Sequence, residues 1–160
     1  MKKTWLYLTI FFLVLTTGIV LLRRELSGVY QLPLDGEITD GFGPRNSPVP
    51  GASTYHKGID IAAKINTSIK AKTAGKVVDI YTHESGGKSL VIERPNGWRE
   101  GYAHLNGYGK FKVGDTFKKG DLLAYTGATG NVSGPHLHYT LTDPQGNKRD
   151  PLLYVGKKLV

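Results

Sequence analysis

The sequence predicts an all-β domain, an antiparallel, sandwich-like sheet of short strands and long surface loops, preceded by one N-terminal transmembrane helix. Three observations carry that expectation. The 160 residues include 21 Gly, 8 Pro and 9 Tyr, a turn-rich and β-prone mixture. From residue 37 onward no window shows a long apolar stripe at helical spacing. Thr4 to Leu22 run 19 residues without a charge, between Lys2-Lys3 and Arg23-Arg24.

The elements follow in chain order. Nineteen residues at about 1.5 Å each make a helix of roughly 28 Å, close to the hydrocarbon thickness of about 30 Å. Thr16-Thr17-Gly18 offers small residues for signal cleavage, but Ile19-Val20-Leu21-Leu22 continue the apolar run and no A-x-A site follows. Residues 1–24 are therefore expected to be an uncleaved signal anchor, with a cleaved signal peptide as the competing reading. Residues 25–36 read as a juxtamembrane linker, 37–155 as the folded domain and 156–160 as a C-terminal tail. Some 135 residues beyond the anchor suffice for one hydrophobic core, not for two ordinary domains.

Within the domain, Ile59-Asp60-Ile61, the run from Gly75 to Tyr81 and the run from Ser89 to Glu93 read as strands. Pro95-Asn96-Gly97 separates the last of these from a run over Arg99 to Leu105. Asn-Gly takes the positive φ values of a tight hairpin, so these two runs are expected to pair antiparallel. Val113-Gly114-Asp115 and Lys119-Gly120-Asp121 are turns of the scaffold, and Leu122 to Tyr125 and His136 to Leu141 are further strands.

Charge and composition narrow the function. The net charge is +8, from 21 Lys and Arg against 13 Asp and Glu, and four of the positive charges flank the apolar segment. The remaining excess is scattered, without a dense basic stripe or a nucleic-acid-binding motif, so no nucleic-acid partner is expected. Cys is absent, which removes disulfide frameworks, thiolate catalysis and Cys-ligated zinc.

Chemistry concentrates in the five histidines. His56 and Asp60 form H-x-x-x-D, His136 and His138 form H-x-H, and His104 lies in Tyr102-Ala103-His104-Leu105. Along a strand, residues two apart face the same way, so His136 and His138 can aim into one site. Two His and one Asp meet the three-ligand count of a catalytic zinc that keeps a fourth position for water. The two remaining His would be available for proton transfer and transition-state stabilisation. His83, followed by Glu84-Ser85-Gly86-Gly87, reads as a loop residue without a role. Each motif alone is weak; their conjunction with the surrounding glycines is not.

Gly41-Phe42-Gly43-Pro44-Arg45, His56-Lys57-Gly58-Ile59-Asp60-Ile61, Tyr102-Ala103-His104-Leu105 and Thr129-Gly130 through Gly134-Pro135-His136-Leu137-His138 occur in that order. This series resembles the lysostaphin/LytM-type zinc metallopeptidases, peptidoglycan endopeptidases with the duplicated hybrid motif fold, over roughly residues 36–152. The resemblance implies a zinc metalloendopeptidase domain with a substrate groove, hydrolysing cell-wall peptides by metal-activated water. It implies one zinc ion on His56, Asp60 and His138, with His104 and His136 as the non-ligand catalytic histidines. Relatives cut glycine cross-bridges or D-alanyl–diaminopimelate cross-links, so the implied partners are peptidoglycan stems or cross-bridges. Such a substrate lies outside the cytoplasmic membrane, which implies a single-pass protein with its domain on the outer face. A catalytically inactive relative that binds peptidoglycan or activates another wall hydrolase is the alternative. A phosphocarrier of related β architecture, a third reading, would be cytoplasmic and conflicts with the apolar segment.

Arg94-Pro95 and Glu100 depart from the family's habits, at positions expected to shape the groove wall rather than bind metal. Tyr102 is expected to pack in the core, with lining the groove as the other reading. Arg45 is open between contacting a substrate carboxylate and forming a surface ion pair.

Overall fold

The computed structural model describes residues 28–46, 50–51 and 53–160. The expected anchor, residues 1–24, and residues 25–27 of the expected linker lie outside the described residues. Among the described residues there is no α-helix, and no helix is long and apolar enough to cross a membrane.

The described residues form twelve strands and a 3-10 turn. They are β1 (Ile38–Asp40), β2 (Gly43–Pro44), β3 (Tyr55–His56), β4 (Ile59–Ala62), β5 (Ser68–Lys70) and β6 (Gly75–His83). β7 (Gly87–Glu93), β8 (Arg99–Tyr108), β9 (Thr116–Phe117), β10 (Leu122–Thr126), β11 (His136–Thr142) and β12 (Lys148–Arg149) follow, before the 3-10 turn Pro151–Tyr154. The main sheet runs β1-β4-β11-β8-β7-β6-β9, with β5 on β10, β10 on β8 and β12 on β11, while β2 and β3 form a separate pair. Every pairing is antiparallel. The sheet branches at β8, which pairs β11 through Arg99–Ala103 and β10 through Leu105–Tyr108 along the same edge.

The expected hairpin is present. β7 and β8 pair antiparallel, and Gly97 takes φ 82° in the turn between them. Each strand foreseen from the sequence is observed, and each is extended by one to three residues.

The register of β11 against β4 positions the site. Ile59, Ile61, Leu137, Tyr139 and Leu141 alternate with less buried neighbours and are themselves fully buried. Burying each such side chain is worth about 1.5–3 kcal/mol. A slip of one residue would turn the whole apolar set of β11 out and drive its histidines into the core, so this register is strongly specified. It sets His138 opposite Asp60 and Tyr139 opposite Ile59.

The core reaches beyond the expected domain limits at both ends. Tyr30 and Leu34, in the segment read as linker, and Leu159, in the segment read as tail, are buried members of it. The two ends meet. Tyr30 N–H donates to Lys157 O at 2.8 Å, Gly156 N–H to Tyr30 O at 3.1 Å, and Val29 bridges Lys158. Asn96 and Trp98 of the β7–β8 hairpin donate to the carbonyls of Leu159 and Val160.

Arg94 and Glu100 also differ from expectation. They pair in the core, 8% and 2% exposed, instead of shaping the groove wall. Glu100 alternates with Gly101 on β8 and so shares the core face with Tyr102, whose hydroxyl donates to its carboxylate. Tyr102 is 3% exposed, which places it in the core rather than in the groove.

Candidate metal centre in the cleft

The outward face of β4 and β11 presents Asp60, His136 and His138, and His56 ends β3 with Gly43 opposite. His56 Nδ1 lies 2.7 Å from Gly41 O. A carbonyl only accepts, so this nitrogen carries the proton and Nε2 presents its lone pair. That Nε2 is 2.9 Å from His138 Nδ1 and 3.2 Å from Asp60 Oδ1, and His138 Nδ1 is 2.8 Å from Asp60 Oδ1. One ligand-type atom from each of the three residues lies within 4.8 Å of the others. Two imidazole nitrogens and a carboxylate oxygen, with one imidazole oriented by a backbone carbonyl, are the donor set of a zinc that keeps an open position. The residues present fit that ion.

Burial opposes the charge of Asp60, but the neighbouring His138 side chain, and then that of His56, outweigh it and hold the carboxyl below the usual range. Burial lowers the His138 pKa, against the pull of Asp60.

His136 and His104 stand beside this cluster. His136 Nδ1 donates to Gly134 O at 2.9 Å, the tautomer whose neutral ring has its lone pair on Nε2, and Nε2 lies 3.7 Å from Asp60 Oδ1. His104 Nδ1 donates to Thr129 O at 2.9 Å, and the two rings lie 4.7 Å apart. Burial pushes the His104 pKa down to about 4, although the Thr129 carbonyl favours the protonated ring. Three of these four histidines therefore share one device, a pinned Nδ1–H that leaves the Nε2 lone pair for chemistry.

His104 reaches this face through a backbone irregularity. Lys88 to Leu90 on β7 spans two residues, whereas their partners Leu105 and Tyr102 on β8 span three. The extra residue forms a β-bulge, and within it His104 takes φ 60°, rare outside glycine. Regular alternation from Tyr102 would have put His104 in the core. The bulge instead returns Leu105 to the core, and it sits where β8 changes partner from β11 to β10.

The glycines of the motifs have specific neighbours. A Cβ on Gly58 would collide with Tyr139 O and lie 3.0 Å from His138 Cε1. A Cβ on Gly130 would meet Gly87 N and Ser85 O, so the Thr129–Gly130 turn packs tightly against the Gly86–Gly87 turn. Thr129 closes that contact by accepting from Lys88 N–H and donating to Leu105 O.

Sequence reasoning missed Asp40. Its carboxylate pairs with Arg45 and lies 3.6 Å from His56 Nδ1, and Arg45 Nη1 is also 3.6 Å from Asp60 Oδ2. The Arg45 side chain is 16% exposed, so its ion pairs belong to the margin of the site rather than to the open surface. Only the adjacency of Asp40 to Gly41-Phe42-Gly43 could have signalled it. His83 lies outside the group, exposed at the end of β6 and bonded to Ser85. The cluster floors a cleft of about 750 Å³ with Tyr55 and the 131–133 loop among its walls.

Comparison with known proteins places this arrangement. Residues 54–151 match the profile of peptidase family M23. The peptidoglycan DD-endopeptidase ShyB of Vibrio cholerae is 38% identical over 104 residues, which are 64% of this chain and 24% of that protein. Lysostaphin of Staphylococcus simulans is 36% identical over 101 residues, 62% of this chain and 20% of that one. The chain thus aligns with about a quarter or less of the length of these curated relatives. Among solved structures, a zinc-containing peptidase from Vibrio cholerae superposes with TM-score 0.68 at 32% identity, over 78% of this chain and 39% of that one. The catalytic domain of S. simulans lysostaphin gives 0.65 at 30% identity, over 74% and 91%. With all of its candidate ligands and both flanking histidines inside the matched span, the chain belongs to peptidase family M23.

Proposed function

We propose that the protein is a membrane-anchored zinc metalloendopeptidase that hydrolyses peptide bonds of bacterial peptidoglycan. The observation that carries this reading is the convergence of His56, Asp60 and His138 on one point, with two further imidazoles beside it. His56, Asp60 and His138 hold the zinc. Bound there, the ion supplies Lewis acidity, which polarises a carbonyl and lowers the pKa of water.

The chain's own groups do the rest. In the neutral tautomer that their Nδ1–H bonds select, Nε2 of His136 and of His104 can each accept a proton from the attacking water and return it to the leaving amine. Once protonated, either ring donates a hydrogen bond to the oxyanion of the tetrahedral intermediate. Residues 1–24 serve as the anchor, with the N-terminus inside and the domain on the outer face, where the wall lies. The folded domain then begins within a few residues of the membrane, because Tyr30 is already part of its core.

The test is incubation of the full-length, zinc-loaded protein in detergent with cross-linked muropeptides of both wall types, read by mass spectrometry. Cleavage abolished by a chelator and by His136→Ala is expected. Stoichiometric zinc without cleavage of either type would replace the enzyme with a wall-binding relative. A reporter fused after Val160 and active only in the cytoplasm would overturn the topology.

A further inference from the structure

The outward face of β11 does not end at the metal cluster. By alternation His136, His138, Thr140 and Thr142 share that face. β12 pairs with β11 so that Lys148 stands opposite Thr142. The Lys148 ammonium lies 2.9 Å from Thr142 Oγ1 and 3.3 Å from Thr140 Oγ1. Both partners are neutral hydroxyls, so they orient the charge without cancelling it.

Lys57 approaches the same stretch from the other side. It lines the cleft between His56 and Gly58. A Cβ on Gly58 would lie 3.0 Å from Thr140 Cγ2, so the Lys57–Gly58 turn rests on the strand beneath Lys148. Among the described residues neither lysine has a carboxylate partner. Burial and then the nearby Lys57 charge lower the Lys148 pKa. Asp60, the acid of the neighbouring cluster, is committed to the histidines.

We infer that Lys57 and Lys148, over the Thr140–Thr142 hydroxyls, form a carboxylate-binding subsite beside the metal cluster, so that the peptide cut here carries a free carboxylate near its scissile bond. The inference rests on the endopeptidase reading and deepens it. It selects acid-bearing cross-links over neutral glycine bridges, since a glycine bridge offers these cations no counter-charge. A carboxylate there receives two charge-assisted hydrogen bonds and relieves the repulsion between the two ammonium groups.

The test uses the full-length, zinc-loaded protein and two D-alanyl–diaminopimelate cross-linked peptides that differ only in a free or amidated diaminopimelate carboxyl. The free acid is expected to have a kcat/KM roughly tenfold higher, carried by KM, as two partly exposed ion pairs would give. Lys57→Met and Lys148→Met should each reduce that preference and together remove it, and Lys148→Arg should retain it. Lys118→Met, remote from the cleft, should leave it unchanged. Raising salt from about 50 to about 500 mM should shrink the preference. Equal kcat/KM for the two peptides, or a preference that survives in the double variant, overturns the subsite. Calorimetric binding of both peptides to the zinc-loaded His136→Ala protein separates the two readings. Preferential binding of the acid with no cleavage by wild type upholds the subsite and sinks the peptidase, whereas equal binding overturns the subsite whatever the cleavage.

Discussion

The strands β8 and β11 carry ionisable groups on both faces, and the two faces treat them in opposite ways. On the cleft face, His56, Asp60 and His138 bring ligand-type atoms within 4.8 Å of one another, with His136 beside them. On the core face, Arg94 and Glu100 neutralise each other, Tyr102 donates to the carboxylate, Tyr30 donates to Tyr139 at 3.0 Å, and the Arg94 guanidinium lies over the Tyr30 ring. Burial disfavours the Arg94 charge, but Glu100 outweighs it and keeps the pKa raised. In that network the unpartnered buried side-chain atom is Arg94 Nη2. Apart from that atom, donors matched to acceptors make a structural unit. Two imidazoles and a carboxylate gathered at one place make a site suited to a cation. The contrast shows how to separate a buried network that holds the sheet from one that performs chemistry.

The largest expected effect breaks the cleft side of this contrast. His56→Ala or Asp60→Ala should lose zinc and at least about a thousandfold in peptide cleavage, the scale of losing one main electrostatic stabiliser or more. His136→Ala should lose turnover and keep its zinc, as measured by metal content after dialysis. If His136→Ala released the metal while His138→Ala held it, the two roles would be exchanged.

Next comes the core side. Glu100→Ala leaves the Arg94 charge buried without a partner and should cost about 3–5 kcal/mol in urea unfolding. Replacing both at once, Arg94→Met with Glu100→Leu, should be near neutral or stabilising and should leave zinc binding intact. A double variant as unstable as Glu100→Ala would mean that the pair does more than neutralise itself.

Gly58→Ala tests the boundary between the faces, because its Cβ meets both Tyr139 O and the His138 ring. Overpacking there should cost about 1–3 kcal/mol and weaken zinc binding as well. Loss of stability with unchanged zinc affinity would show that strain in β11 does not reach His138.

The smallest effect sits at the rim of the same strand. Asp143 accepts from Asn147 N–H at 2.8 Å and from Arg149 Nε at 2.8 Å, capping the β11–β12 turn. Burial raises its pKa, but the bonds from Asn147 and Arg149 prevail and bring it down to about 2. A carboxyl whose folded pKa lies below the usual value of about 3.9 contributes fully above that value and loses its contribution as pH falls through about 2. Thermal unfolding should show wild type losing its advantage over Asp143→Asn across that window. A constant difference between pH 5 and pH 2 would remove Asp143 from the account.

The cleft side was legible in the sequence because its signals are local. H-x-H places two imidazoles on one strand face by the two-residue period, and Asn96-Gly97 specifies a hairpin by backbone sterics. The core side was not. Arg94 and Glu100 were visible as departures, yet which face they occupy follows from the alternation of β8 against its neighbours. Tyr30 lies 109 residues from the Tyr139 hydroxyl it meets, and nothing within a few residues of it marks that contact.

By itself, then, the sequence determined the strand-rich fold class, the hairpin, the identity of the metal-type side chains and the family those motifs resemble. All of these depend on residue chemistry and on spacing of a few positions. Tertiary structure decided how His104 comes to face the cleft, through a bulge in the β7–β8 register. It also decided that Asp60 and His138 stand opposite each other, that Asp40 joins the site's margin, and that both chain ends enter the core. Those outcomes depend on register and on closure between distant segments, which follow from burying one apolar face of the whole sheet at once.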